Sequence, residues 1–136
     1  MRICPNPRSL WQAFNEFFNA LDNIEEFFNQ NLYVLRNRFT ESDVRIFFTL
    51  IRYDEVYIVY FKCNKKKIFD YFNILNYFRE IYQMPEIKET VNMKHINTHY
   101  YTCHNDLYYF AIIPNGNDFI SEVEKTYDKI DFINWN

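Results

Sequence analysis

Three histidines, His95, His99 and His104, are spaced four and five residues apart, with Cys103 beside the last. A pair at i and i+4 on a helix shares one face and can hold a metal ion between two imidazoles. The His-Glu-x-x-His frame that couples such a pair to a general base is missing, and no third ligand is evident. The spacing therefore predicts no metal site, with the histidines as surface or capping residues. Cys63 lies between Lys62 and Lys65, where nearby ammonium groups lower a thiol's pKa and favour the nucleophilic thiolate. No histidine base sits near it in sequence, so a half-buried structural cysteine is the plainer reading. The cluster Lys62, Lys65, Lys66 and Lys67 reads as a solvated turn, with anion binding as the alternative. Tyr57, Tyr100 and Tyr101 stand among 12 tyrosines, and spacing alone does not single them out.

The elements that must position these residues are mostly helical. Leu10, Phe14, Phe17, Leu21, Ile24 and Phe28 form one amphipathic stripe, leaving Glu16, Asp22, Glu25 and Asn29 to solvent. Ser9 is the expected N-cap, with Gln12 completing a capping box. Thr40-Glu41-Ser42-Asp43 is a stronger start signal. The Thr40 hydroxyl and the Asp43 carboxylate can each satisfy a backbone N–H that the first helical turn leaves orphaned. From Val44 to Phe61 the segment is apolar nearly all round, which predicts a buried central helix. Its end, Val56–Phe61, has strand propensity when taken alone, but the cap and the length favour helix. Ile68, Tyr71, Phe72, Leu75, Phe78 and Tyr82 trace a third stripe. Pro85 opens a short fourth helix, and Asn92 caps a fifth through His99. Beyond Cys103 the periodicity fades. The expected architecture is an all-α helical bundle in a single domain, 1–136, with a helical core over 9–101 and an irregular extension over 102–136.

Composition removes several function classes. At 136 residues, with 49% hydrophobic and 24% charged residues, the chain is long enough and apolar enough to fold around one core. A net charge of −3 argues against a general nucleic-acid binder. One glycine, Gly116, leaves no glycine-rich phosphate loop. No stretch approaches the ~20 apolar residues of a membrane span, and no apolar segment follows Met1 as in a secretory signal. The cysteines Cys4, Cys63 and Cys103, odd in number and without metal-type spacing, predict reduced thiols in the cytoplasm.

Several strings together carry a resemblance: Phe39-Thr40-Glu41-Ser42-Asp43-Val44-Arg45-Ile46-Phe47, Thr49-Leu50-Ile51-Arg52-Tyr53-Asp54-Glu55-Val56-Tyr57, Phe61-Lys62-Cys63-Asn64, Glu89-Thr90-Val91-Asn92-Met93-Lys94-His95-Ile96, and His99-Tyr100-Tyr101. From about Trp11 to Gly116 the chain resembles the helical C-terminal domain of the glutathionyl-hydroquinone reductases, a branch of the glutathione transferases close to the omega class. The resemblance implies glutathione as co-substrate and thiol-dependent reduction of glutathionyl-hydroquinones. It implies a nucleophilic cysteine in a separate thioredoxin-like domain. It places Tyr57 and Tyr100 where the family's tyrosines reach the catalytic thiolate and the hydroquinone hydroxyls. Cys4-Pro5 matches the family's nucleophile motif in spelling only, and the family's Asn-Pro after the His104 region is Tyr108-Tyr109 here. The expectation is a chain that neither binds glutathione nor turns over by itself and that pairs as a homodimer through its helices. The alternative is a stand-alone helical dimerisation or scaffolding module. Loss of a partner domain would leave Phe14, Phe17, Phe18, Tyr57 and Tyr100 in water.

Overall fold

The computed structural model describes residues 7–58, 65–103 and 119–124. Among them the fold is all-α, with two isolated β-bridges and no strand. Helix α1 spans Pro7–Phe28 and α2 spans Glu41–Arg52, continued by a π-helical turn over Tyr53–Tyr57. A 3-10 turn, Ile68–Asp70, leads into α3, Phe72–Tyr82. Helices α4 (Pro85–Lys88), α5 (Met93–Cys103) and α6 (Phe119–Val123) follow. The predicted boundary at 101 thus falls inside α5, and the extension contributes a short helix. Residues 104–118 and 125–136 lie outside the described residues, as do Cys4, Cys63 and His104.

Helix α1 starts at Pro7, ahead of the predicted cap Ser9. Proline suits the first helical position because its missing N–H would be unpaired there anyway. Gln12 does not fold back to a cap, since its amide donates to Glu16 Oε1 at 2.9 Å. Phe18, fully buried, takes the core place that the stripe assigned to Phe17. Phe17 is half-buried and stacks on Tyr53 at 5.6 Å. Phe28 stacks on Tyr77 of α3 at 3.9 Å, which locks the end of α1 onto that helix.

The central helix is α3 and not the segment after Val44. α1, α2 and α6 all pack on α3, which buries Ile74, Leu75, Tyr77, Phe78, Ile81 and Tyr82. Helix α2 is amphipathic. It buries Asp43, Phe47, Leu50 and Ile51 and turns Glu41, Arg45, Phe48 and Thr49 to solvent. Phe72, counted in the third stripe, is 62% exposed, because the helix begins there after the 3-10 turn and swings its first residue outward.

Glu25, predicted to face solvent, instead ties α1 to α3. Its carboxylate accepts from the Asn73 N–H at 2.9 Å and the Ile74 N–H at 2.8 Å, two of the orphan donors of α3. The negative charge also complements the positive end of that helix. Lys88 pairs with Glu124 at 2.7 Å, where α6 docks with Val123 fully buried.

Candidate functional site

Two clusters gather polar side chains. The first lies where α2 meets α3. Asp43 is fully buried, and its carboxylate accepts four hydrogen bonds. Oδ2 receives the Thr40 N–H at 2.8 Å and the Thr40 hydroxyl at 3.0 Å. Oδ1 receives the Val34 N–H at 2.8 Å and the Tyr77 hydroxyl at 3.1 Å. The capping box predicted at Thr40 and Asp43 is therefore present, and it reaches further than one helix start. Val34 is delivered by a tight reversal in which Tyr33 and Arg36 exchange backbone hydrogen bonds at 2.8 and 2.9 Å, with Arg36 at φ 61°. Burial first, and the Asp43 charge second, push the Tyr77 phenol well above the usual tyrosine range, so it stays a neutral donor. This cluster, buried at Asp43 and Tyr77 and half-buried at Val34 and Thr40, stabilises the fold.

The second cluster pairs two phenols. Tyr57, on the π-helical turn, and Tyr100, on α5, meet edge-on with ring centroids 6.3 Å apart. Val56 is fully buried beneath them, with Ile96 packed alongside. Both tyrosines are half-buried. The His99 ring stands edge-on to Tyr100 at 5.6 Å. Burial raises the Tyr57 pKa, helped by a hydrogen bond to Tyr100, while the neighbouring Arg52 guanidinium opposes the rise. At neutral pH Tyr57 therefore keeps its phenolic proton. Such a donor can stabilise a thiolate or a phenolate, or hold a hydroxyl of an aromatic ligand.

The structure thus brings together Tyr57 and Tyr100, which lie 43 residues apart in sequence. His95 and His99 lie exposed on α5, the former donating its backbone N–H to Asn92 Oδ1 at 2.9 Å. Among the described residues no group of three His, Cys, Asp or Glu side chains could hold a metal ion. No helix among them is long and apolar enough to cross a membrane. Of the five aromatics expected in water, Phe18 is fully buried and Phe14, Phe17, Tyr57 and Tyr100 are half-buried. Among the described residues, the exposed Trp and Phe side chains are Trp11, Phe27, Phe48 and Phe72. An apolar groove of about 250 Å³ runs between α1 and α2, walled by Phe17, Ala20, Ile24, Ile46 and Leu50.

No protein-family model matches the chain. Individual relatives do. Glutathionyl-hydroquinone reductase YqjG of Escherichia coli is 42% identical over 105 residues, covering 77% of this chain and 32% of that protein. Glutathione S-transferase omega-like 2 of Schizosaccharomyces pombe is 34% identical over 103 residues, covering 73% of this chain and 33% of its own length. The chain spans about a third of the length of the curated relatives it matches. Among solved structures, glutathione-bound YqjG superposes with a TM-score of 0.79 over 84% of this chain and 37% of that one, at 38% identity. A Xi class glutathione transferase from Natrialba magadii gives 0.85 over 92% of this chain and 38% of that one, at 34% identity.

Proposed function

Since this chain is a relative of the glutathionyl-hydroquinone reductases and omega-like glutathione transferases over about three-quarters of its length, we propose that it is the helical half of an enzyme of that type. The observation that carries the reading is the Tyr57–Tyr100 pair, two half-buried phenols set side by side by helices 43 residues apart in sequence. In this reading glutathione is a co-substrate and the nucleophilic cysteine belongs to a thioredoxin-like domain. The thiolate attacks the glutathionyl sulfur, the carbon–sulfur bond to the ring breaks, and the ring carbon takes up a proton. A second glutathione thiolate then attacks the resulting mixed disulfide, releasing oxidised glutathione and restoring the cysteine. Tyr57 and Tyr100 donate hydrogen bonds to the thiolate and the hydroquinone hydroxyls, which lowers the thiol's pKa and orients the ring. A reducing, cytoplasmic compartment suits this chemistry and the cysteine usage.

Two measurements test the reading. The 136-residue chain alone gives no calorimetric signal with glutathione and no turnover of a glutathionyl-hydroquinone. A chimera in which the chain replaces the matching third of E. coli YqjG is active, and its Tyr57→Phe, Tyr100→Phe form loses roughly a hundredfold. An inactive chimera beside an active parent, or a double variant with undiminished rate, would refute it.

The second reading, a stand-alone dimerisation or scaffolding module, is favoured by the α1–α2 groove and by Trp11, which is 65% exposed on the same helix. Apolar surface of this kind gains from being covered by a second copy. Sedimentation equilibrium at micromolar concentration is expected to give twice the mass of one chain. A monomer there would count against pairing in either reading, whereas chimera activity separates the two.

A further inference from the structure

We propose that Asp54 is a positioning residue of this site: its carboxylate pins the π-helical turn to the chain at Ile68 and so fixes the direction in which Tyr57 meets Tyr100. The inference rests on the reading of Tyr57 and Tyr100 as the site. The turn Tyr53–Tyr57 is closed by the Ile58 N–H on the Tyr53 carbonyl, five residues earlier. A turn closed in this way holds one residue more than an α-helical turn. Its relaxation to α-helix would rotate Tyr57 by up to about 100° around the axis, the turn of one residue. A π-helical turn is rare, so contacts from outside the helix have to hold it.

The first two residues of the turn make such contacts. The Tyr53 hydroxyl donates to the Lys66 carbonyl at 3.0 Å, and Asp54 Oδ1 accepts from the Ile68 N–H at 2.9 Å. Ile68 is fully buried and opens the 3-10 turn, so its N–H has no partner within that turn and needs an acceptor from elsewhere. The receiving segment is itself fixed. The Lys66 ammonium donates to Asp22 of α1 at 3.0 Å and lies 4.7 Å from the Tyr71 ring centroid. The Lys67 N–H donates to Asp70 Oδ2 at 2.8 Å. Further along, the π-helical turn packs on α5, where Val56 is buried in a small cluster with Tyr57, Ile96 and Tyr100. Asp54 thus stands between a fixed anchor and the phenol pair, three residues before Tyr57.

The test places a fluorotyrosine at position 57 of the full chain and reads its fluorine NMR signal with and without Tyr100→Leu. In the wild type that substitution displaces the signal, because the edge-on Tyr100 ring no longer shifts it. Asp54→Ala is expected to cut the displacement by at least about half. Asp54→Ser, whose hydroxyl stops one bond short of the Ile68 N–H, does the same and carries the test if the alanine variant fails to fold. Asp54→Asn keeps an acceptor oxygen and retains most of the displacement. Thr40→Ala weakens the fold elsewhere and leaves the displacement whole, which separates positioning from general destabilisation. In the chimera, Asp54→Ala lowers kcat about tenfold with the KM for glutathione unchanged. An undiminished displacement in Asp54→Ala or Asp54→Ser, an equal loss in Thr40→Ala, or an unchanged kcat would overturn the assignment. The fluorine measurement uses no glutathione, quinone or second domain, so it judges Asp54 separately from the chimera assay that judges the reading of the site.

Discussion

Replacing Asp43 by alanine is expected to destabilise the chain by about 3–5 kcal/mol, more than any other single polar substitution here. The carboxylate is the acceptor for two backbone N–H groups, of Val34 and Thr40, and for the hydroxyls of Thr40 and Tyr77. Each donor left unsatisfied in the interior costs roughly 1–3 kcal/mol. Thr40 is half-buried, so its hydroxyl can turn to water, and removing a buried charge recovers some desolvation. The net loss therefore falls below the sum of four. Thr40→Ala removes only the local part of the cap and should cost about 0.5–2 kcal/mol. Asp43→Asn keeps one acceptor oxygen and should fall between the two. Urea unfolding at neutral pH reads all three. A loss below about 1 kcal/mol for Asp43→Ala would show that the four bonds do not hold the start of α2, the reversal before it and α3 together. Against a total of roughly 5–15 kcal/mol for a domain, the expected loss brings the fold close to its midpoint.

The Thr40–Asp43 box was legible because a capping box is local: hydroxyl, carboxylate and spacing all lie within four residues. The reach of Asp43 to Val34 and Tyr77 was not legible, since it depends on a reversal at Arg36 and on the approach of α3. Glu25 shows the same limit. On its own helix it sits beside the apolar stripe and reads as solvated, yet a second helix starts against it. Periodicity found α1 and α3 but not their order of burial, because Phe17 and Phe18 differ by one position around the helix and the neighbouring helix decides between them. The Tyr57–Tyr100 juxtaposition came into view in sequence through resemblance alone. Spacing could not supply it, since Tyr57 sits on a π-helical turn when it meets Tyr100, and no residue pattern marks such a turn.

Phe78→Ala is the second large effect, an expected loss of about 3–5 kcal/mol. Phe78 is fully buried in the middle of α3, the helix on which α1, α2 and α6 converge. Its ring stacks on Phe47 of α2 at 4.7 Å and an interplanar angle of 18°, and lies nearly parallel to Tyr82 at 6.3 Å. Truncation therefore removes both the transfer free energy of the ring and the contact that binds α2 to α3. The cavity left behind cannot collapse easily, because Ile74, Ile81 and Phe47 around it are themselves fully buried and fixed by other neighbours. Phe78→Leu refills most of that volume and should lose markedly less. Phe72 is the control. It lies on the same helix and the same sequence stripe, six residues earlier, but is 62% exposed, so Phe72→Ala should stay within about 0.5 kcal/mol of wild type. Paired urea titrations of Phe78→Ala and Phe72→Ala measure the difference directly. Equal losses for the two would mean that α3 is rotated relative to its neighbours. That rotation would also displace Tyr77 from Asp43, so the Asp43 and Phe78 experiments must stand or fall on the same packing of α3.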